Sequence, residues 1–194
     1  MRLPLLVIVP LLAISLLSCE RKEKFHGTVY DKPAEEFCLT NWREGSERKV
    51  CLSDFRGKVV MIFFGYTHCP DVCPTALQVL AETLKLLPEA DRGKVQVLFI
   101  TVDPERDGPE ITQKYAEYFH PSFLGLTGSP EEIKKVAKDY MVYYGKVEGQ
   151  SEGGYLVDHT ALIYLIDQKG NLKLLYPSMR QKPELIAEDL KKLL

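Results

Sequence analysis

Blocks of like charge are missing from this sequence. Its 25 lysines and arginines are interspersed with 27 aspartates and glutamates, for a formal net charge of −2. With no basic stretch standing alone, composition excludes a nucleic-acid surface as the working face. Internal repeats and low-complexity tracts are also absent, and one domain is what a chain of 194 residues then implies. No apolar run reaches the roughly 18 residues expected of a membrane span. The most apolar stretch, residues 3–17, falls short of that and is interrupted by Pro4 and Pro10. Cysteine is scarce, at 5 residues, and so is histidine, at 4, which leaves little material for a fully closed metal cage.

What is present begins with a leader. Arg2 supplies a positive head, residues 3–17 an apolar core, and Ser18 a small residue before Cys19. That order is a secretory signal, assigned to residues 1–18. Leu16-Leu17-Ser18-Cys19 resembles the lipobox of bacterial lipoproteins, with Cys19 as the lipidated residue, although a smaller residue is commoner where Leu17 stands. The alternative is an uncleaved N-terminal anchor. Either places the domain outside the cytoplasm and ties it to a membrane, and a diacyl attachment would hold firmly. Residues 20–35 are charged and lack apolar periodicity, so residues 19–35 read as a tether and residues 36–194 as the folded domain.

Setting Cys19 aside, the other cysteines form two pairs, as suits an oxidising compartment. Cys38 and Cys51 flank the turn-like Arg43-Glu44-Gly45-Ser46, a β-hairpin pattern that sets position 38 opposite position 51. A structural disulfide is the reading taken. It closes a loop of about 14 residues, worth on the order of 3 kcal/mol in the chain-entropy model. A second metal or redox pair, or two unpaired core thiols, are the alternatives.

The second pair, Cys69 and Cys73, lies in Gly65-Tyr66-Thr67-His68-Cys69-Pro70-Asp71-Val72-Cys73-Pro74. A dense apolar run, residues 58–64, reads as a buried strand before it, and residues 74–87 read as an amphipathic helix after it. A second buried strand is expected over 95–102, a helix over 110–119, a short strand over 123–126 and a helix from Ser129 to about position 140, with Ser129 as N-cap. Residues 143–156 read as a hairpin or flexible loop. A strand over 160–167, a return strand over 172–176 and a closing helix over 183–193 complete the chain. This order predicts an α/β, thioredoxin-like sandwich, with an N-terminal β-hairpin and an insertion before the last β-hairpin.

In that topology three segments meet at one sheet edge: the Cys69/Cys73 loop, Asp103, and Asp158-His159. Thiols four residues apart on a helical turn share a face, and a helix N-terminus favours thiolate. Two thiolates and one imidazole make a soft, three-coordinate set suited to Cu(I) and also to Cu(II). A structural zinc site would want a fourth ligand, and no further Cys or His is placed to supply it. His68 is the local rival of His159, and His26 and His120 lie elsewhere. Asp71, Asp103 and Asp158 are candidates for orienting an imidazole or tuning charge, with capping and turn roles as the alternative.

These stretches, with Val102-Asp103-Pro104-Glu105-Arg106-Asp107-Gly108-Pro109-Glu110 and Val157-Asp158-His159-Thr160, resemble the three signatures of the Sco/SenC family in order and separation. Gly108 stands where threonine is common. The resemblance implies a thioredoxin-like domain on the outer face of an energy-transducing membrane. It also implies one copper ion per chain on Cys69, Cys73 and His159, and a role in assembling the CuA centre of cytochrome c oxidase subunit II. The Cys38/Cys51 pair is outside those signatures.

Two functions follow. One is a copper metallochaperone, a delivery role without turnover, with that subunit as partner and other periplasmic copper carriers as possible donors. The other is a thiol–disulfide oxidoreductase, in which Cys69 and Cys73 keep the oxidase cysteines reduced and themselves draw on thiol reductants. The same sulfurs cannot hold copper and form a disulfide at once. A peroxidase would need an activated cysteine with a peroxide-orienting arginine, an arrangement not evident here.

Overall fold

In the computed structural model, which describes residues 24–151 and 154–194, the centre is set by two strands with no exposed side chain. Runs of this kind, apolar on both faces, are stable only when covered on both sides. The leader over 1–18 and the lipidation expected at Cys19 lie outside the described residues.

In chain order the elements are β1 (Thr28–Pro33), β2 (Cys38–Arg43), β3 (Ser46–Cys51), a 3-10 turn (Leu52–Phe55), β4 (Val59–Gly65) and α1 (Val72–Lys85). There follow a single helical turn α2 (Glu89–Arg92), β5 (Val95–Thr101), α3 (Pro109–Phe119), β6 (Leu124–Leu126) and α4 (Pro130–Asp139). The chain continues with β7 (Tyr144–Ser151), β8 (Gly154–His159), β9 (Ile163–Ile166), β10 (Asn171–Tyr176), a 3-10 turn (Ser178–Arg180) and α5 (Pro183–Leu193).

The main sheet has the order β1-β10-β9-β4-β5-β6. Strands β4, β5 and β6 are parallel, with Gly65 beside Thr101, while β9 runs antiparallel to β4, with Ile163 beside Phe63. The C-terminal ends of β4 and β5 and the start of β9 therefore share one edge. Helix α1 packs against β4, α3 and α5. The apolar core includes Met61, Phe63 and Phe64 of β4, Leu98 and Phe99 of β5, and Leu77 and Leu80 of α1.

Several boundaries differ from those read off the sequence. The segment assigned as tether contains β1, which pairs antiparallel with β10 at the sheet edge. Its side chains are mostly exposed, so no apolar periodicity marks it. It is held by the backbone ladder and by Asp189, whose Oδ2 accepts the N–H groups of His26 and Gly27 at 2.8 and 2.9 Å. Helix α1 begins at Val72, which puts Cys73 inside its first turn. Residues 143–156 do form a hairpin, β7 with β8, but β8 extends through His159, and β9 starts only at Ile163. The N-terminal hairpin has the expected register, Cys38 opposite Cys51, and the two sulfurs are joined. Leu39 is buried beneath it, and a reciprocal backbone bridge between Thr40 and Thr127 ties the hairpin to the domain.

Candidate metal centre

The reactive edge starts where β4 ends. Gly65 has no side chain, and a Cβ there would lie 2.6 Å from Cys73 Sγ, so the sulfur packs over the strand end only because glycine stands in it. Cys73 is fully buried, and Cys69, in the loop before α1, is half-buried. The backbone N–H of Cys73 donates to Cys69 Sγ at 3.4 Å, using a helix-terminal N–H that no carbonyl can satisfy.

The third group arrives from β8. His159 Nε2 lies 3.3 Å from Cys73 Sγ. Its Nδ1 lies 3.3 Å from the Thr160 carbonyl oxygen. The ring therefore turns Nε2 toward the sulfurs and Nδ1 toward that carbonyl. Phe63 and Tyr66 set their rings edge-on to the imidazole, with centroids at 6.0 and 5.9 Å. The ligand atoms of Cys69, Cys73 and His159 all lie within 4.8 Å of one another.

The two thiols are not equivalent. Hydrogen bonding from the Cys73 thiol brings Cys69 down from 9.0 to about 3, against the opposing effect of partial burial and with further help from His159. Burial pushes Cys73 in the opposite direction, reinforced by its bond to Cys69 and by the charge there. Cys69 is therefore the thiolate facing solvent and Cys73 the protonated partner behind it. Cys69 opens on a cleft of about 210 Å³ that Tyr66, Asp71, Val157, Asp158 and His159 also line, with Cys73 buried behind it.

The expected carboxylates separate. Asp71 is exposed at the N-cap position of α1, where its side chain makes no cap hydrogen bond and accepts from the Thr75 hydroxyl at 3.4 Å. Asp158 is exposed on the face of β8 opposite His159, as strand alternation requires. Asp103 is buried, but its oxygens accept from Arg106 Nε at 2.5 Å and the Tyr155 hydroxyl at 2.8 Å rather than from the imidazole. Sequence reasoning missed Asp107. This fully buried carboxylate accepts the Thr67 N–H at 2.8 Å, the Thr67 hydroxyl at 2.6 Å and the Thr101 hydroxyl at 2.7 Å. It fixes the start of the cysteine loop to the end of β5. The nearest signal in the sequence was an acidic residue just before Gly108-Pro109, a pattern that turns share. His68 Nδ1 turns toward Thr67 Oγ1, 3.1 Å, and Asp107, 3.6 Å, and stays out of the thiol cluster. His120 bonds Ser122, and His26 pairs with Glu188.

A sequence model of the SCO1/SenC family matches residues 30–194. The mitochondrial SCO2 homolog of Bos taurus is 48% identical over 122 residues, covering 62% of this chain and 46% of that protein. The chain spans about half the length of the curated relatives it matches. Apo Sco1 from Thermus thermophilus, solved in solution, is 43% identical with a TM-score of 0.78, over 90% of this chain and 99% of that one. Bradyrhizobium japonicum ScoI with copper bound is 44% identical with a TM-score of 0.73, over 84% and 99%. BsSco, in which a disulfide switch was identified and which is a member of the Sco family of cytochrome c oxidase assembly proteins, is 25% identical with a TM-score of 0.65, over 86% and 96%. With matching signatures, a matching fold and a family match over nearly all the described residues, this chain belongs to the SCO1/SenC family.

Proposed function

We propose that this protein is a copper metallochaperone that holds one copper ion on Cys69, Cys73 and His159 and delivers it to the CuA centre of cytochrome c oxidase subunit II. The observation that carries this is the spread of the three ligand atoms, all within 4.8 Å of one another. Two donors on a single ion, with bonds of roughly 2.0–2.3 Å, stand at most about 4.6 Å apart, so small side-chain adjustments suffice. Two sulfurs and one imidazole suit copper in either oxidation state. Three protein ligands leave room for a partner's thiolate to enter before one of them departs. Relatives with copper bound and the oxidase-assembly role of the family support the reading. A lipid on Cys19, exposed by removal of the leader at residues 1–18, would hold the domain in the periplasm against the membrane. Among the described residues no helix is long and apolar enough to cross a membrane.

Titration of Cu(I) and Cu(II) into the reduced protein tests this. One ion per chain should bind, and the loaded protein should pass copper to an apo CuA domain. His159→Ala should weaken binding by more than the roughly hundredfold ceiling typical of outer-sphere partners. Equal copper binding after that change would sink the three-ligand reading.

The asymmetry of the thiols supports a second reading, thiol–disulfide exchange. A half-buried Cys69 that favours the thiolate, with a buried thiol four residues on, is the arrangement for attack on a disulfide followed by resolution. His159→Ala should leave that reactivity largely intact, which separates the two functions.

A further inference from the structure

Among the described residues, β7 and β8 pair only with each other and not with the central sheet. The main ladder reaches His159 only from Ile163, four residues on, and does not hold the far end of β8. The turn after β5 makes the connection. The Tyr155 hydroxyl donates to Asp103 Oδ1 at 2.8 Å. Arg106 donates Nε–H to Asp103 Oδ2 at 2.5 Å and Nη1–H to the Tyr155 carbonyl oxygen at 2.9 Å. Its guanidinium lies 3.7 Å from the centroid of the Tyr155 ring. At the rim, Lys146 of β7 pairs with Glu105 at 2.6 Å and lies over the same ring at 4.6 Å. Asp103 is 2% exposed and the Arg106 side chain 18%, so the ion pair is largely removed from water and strongly oriented. Tyr155 and His159 are four residues apart on β8, on the same face and about 13 Å apart, with buried Val157 between them.

We propose that Asp103, Arg106 and Tyr155 form a clamp that positions His159: it grips one end of the strand so that the other end presents the imidazole to the two sulfurs. With the clamp intact the metal site has three ligands, and with it broken the hairpin and its imidazole drift from thiols that stay in place. This deepens the three-ligand reading and rests on it. None of the clamp residues belongs to the Cys69, Cys73 and His159 cluster.

A double-mutant cycle tests the clamp. Arg106→Gln and Tyr155→Phe, the latter removing only a hydroxyl, should each weaken copper binding about tenfold, the lower end for residues that orient a ligand. In a His159→Ala background neither should weaken it further. The nitrogen hyperfine signature of Cu(II) bound to imidazole should diminish in the single variants, while the alkylation rate of the reduced thiols changes no more than it does in His159→Ala. A loss of equal size in both backgrounds, or thiol alkylation altered beyond its level in His159→Ala, would show that these residues act on the fold or the cysteine loop and overturn the clamp. Loss on His159→Ala with none on Arg106→Gln or Tyr155→Phe would overturn the clamp alone. No loss on His159→Ala would overturn the three-ligand reading and the clamp with it.

Discussion

Asp107 shows how much of the site is held by a residue that meets no ligand. Its carboxylate gathers donors from the cysteine loop, Thr67, and from the end of β5, Thr101, in a place with no solvent access. Asp107→Ala leaves the Thr67 N–H and two hydroxyls without an acceptor and should destabilise the protein by about 2–4 kcal/mol. Urea unfolding of the apo protein measures this, and a change below about 0.5 kcal/mol would mean that the loop is anchored by other contacts. Asp107 was hidden in the sequence because its loop partner, Thr67, is 40 residues away. The cysteines and His159 were legible because their spacing and flanking residues form signatures.

At the scale of elements, two local devices govern pieces of the fold. The β2–β3 hairpin is closed by Cys38–Cys51, a separation of 13 in sequence. Replacing both cysteines by serine should lower stability by about 3 kcal/mol and leave copper affinity unchanged, as compared by urea unfolding and copper titration. Lost copper binding would place this pair in the chemistry after all. Helix α4 starts with a capping box, Ser129 accepting the Glu132 N–H and Glu132 accepting the Ser129 N–H. The Lys49 ammonium, and next the Ser129 N–H, hold the Glu132 carboxyl below its ordinary 4.5. A depressed folded-state value stabilises the fold above 4.5, and the gain is lost as pH falls through that lower value. Glu132→Gln keeps the cap and removes the charge. It should lower stability by roughly 0.2–1 kcal/mol at pH 7, since the pair is solvent-exposed, and by nothing once the native carboxyl is protonated. A melting-temperature difference that persists unchanged into acid would contradict this.

Across the whole molecule, the segment before β1 is tied down by the opposite end of the chain. Asp189 of α5 is fully buried and accepts from His26, Gly27, the Tyr176 hydroxyl at 2.9 Å and Lys192 at 3.0 Å. Asp189→Ala orphans these donors, at about 2–4 kcal/mol. Hydrogen exchange should show the amides of β1 losing protection before those of β4 and β5, because β1 has little apolar burial to fall back on. Uniform loss across the sheet would argue against a local latch.

The sequence by itself determined the two central strands, the α/β order, the facing of Cys38 and Cys51 and the stretches that bring Cys69, Cys73 and His159 together. Each rests on short-range pattern: runs of apolar residues, turn chemistry, fixed spacings. Only the tertiary structure decided that β1 belongs to the sheet, that Asp103 grips Tyr155 rather than His159, and that Asp107 secures the cysteine loop. Those assignments depend on contacts between segments far apart in the chain, Thr67 with Asp107, Tyr155 with Asp103 and β1 with β10, and a polar residue's identity does not say which distant partner the fold will bring to it.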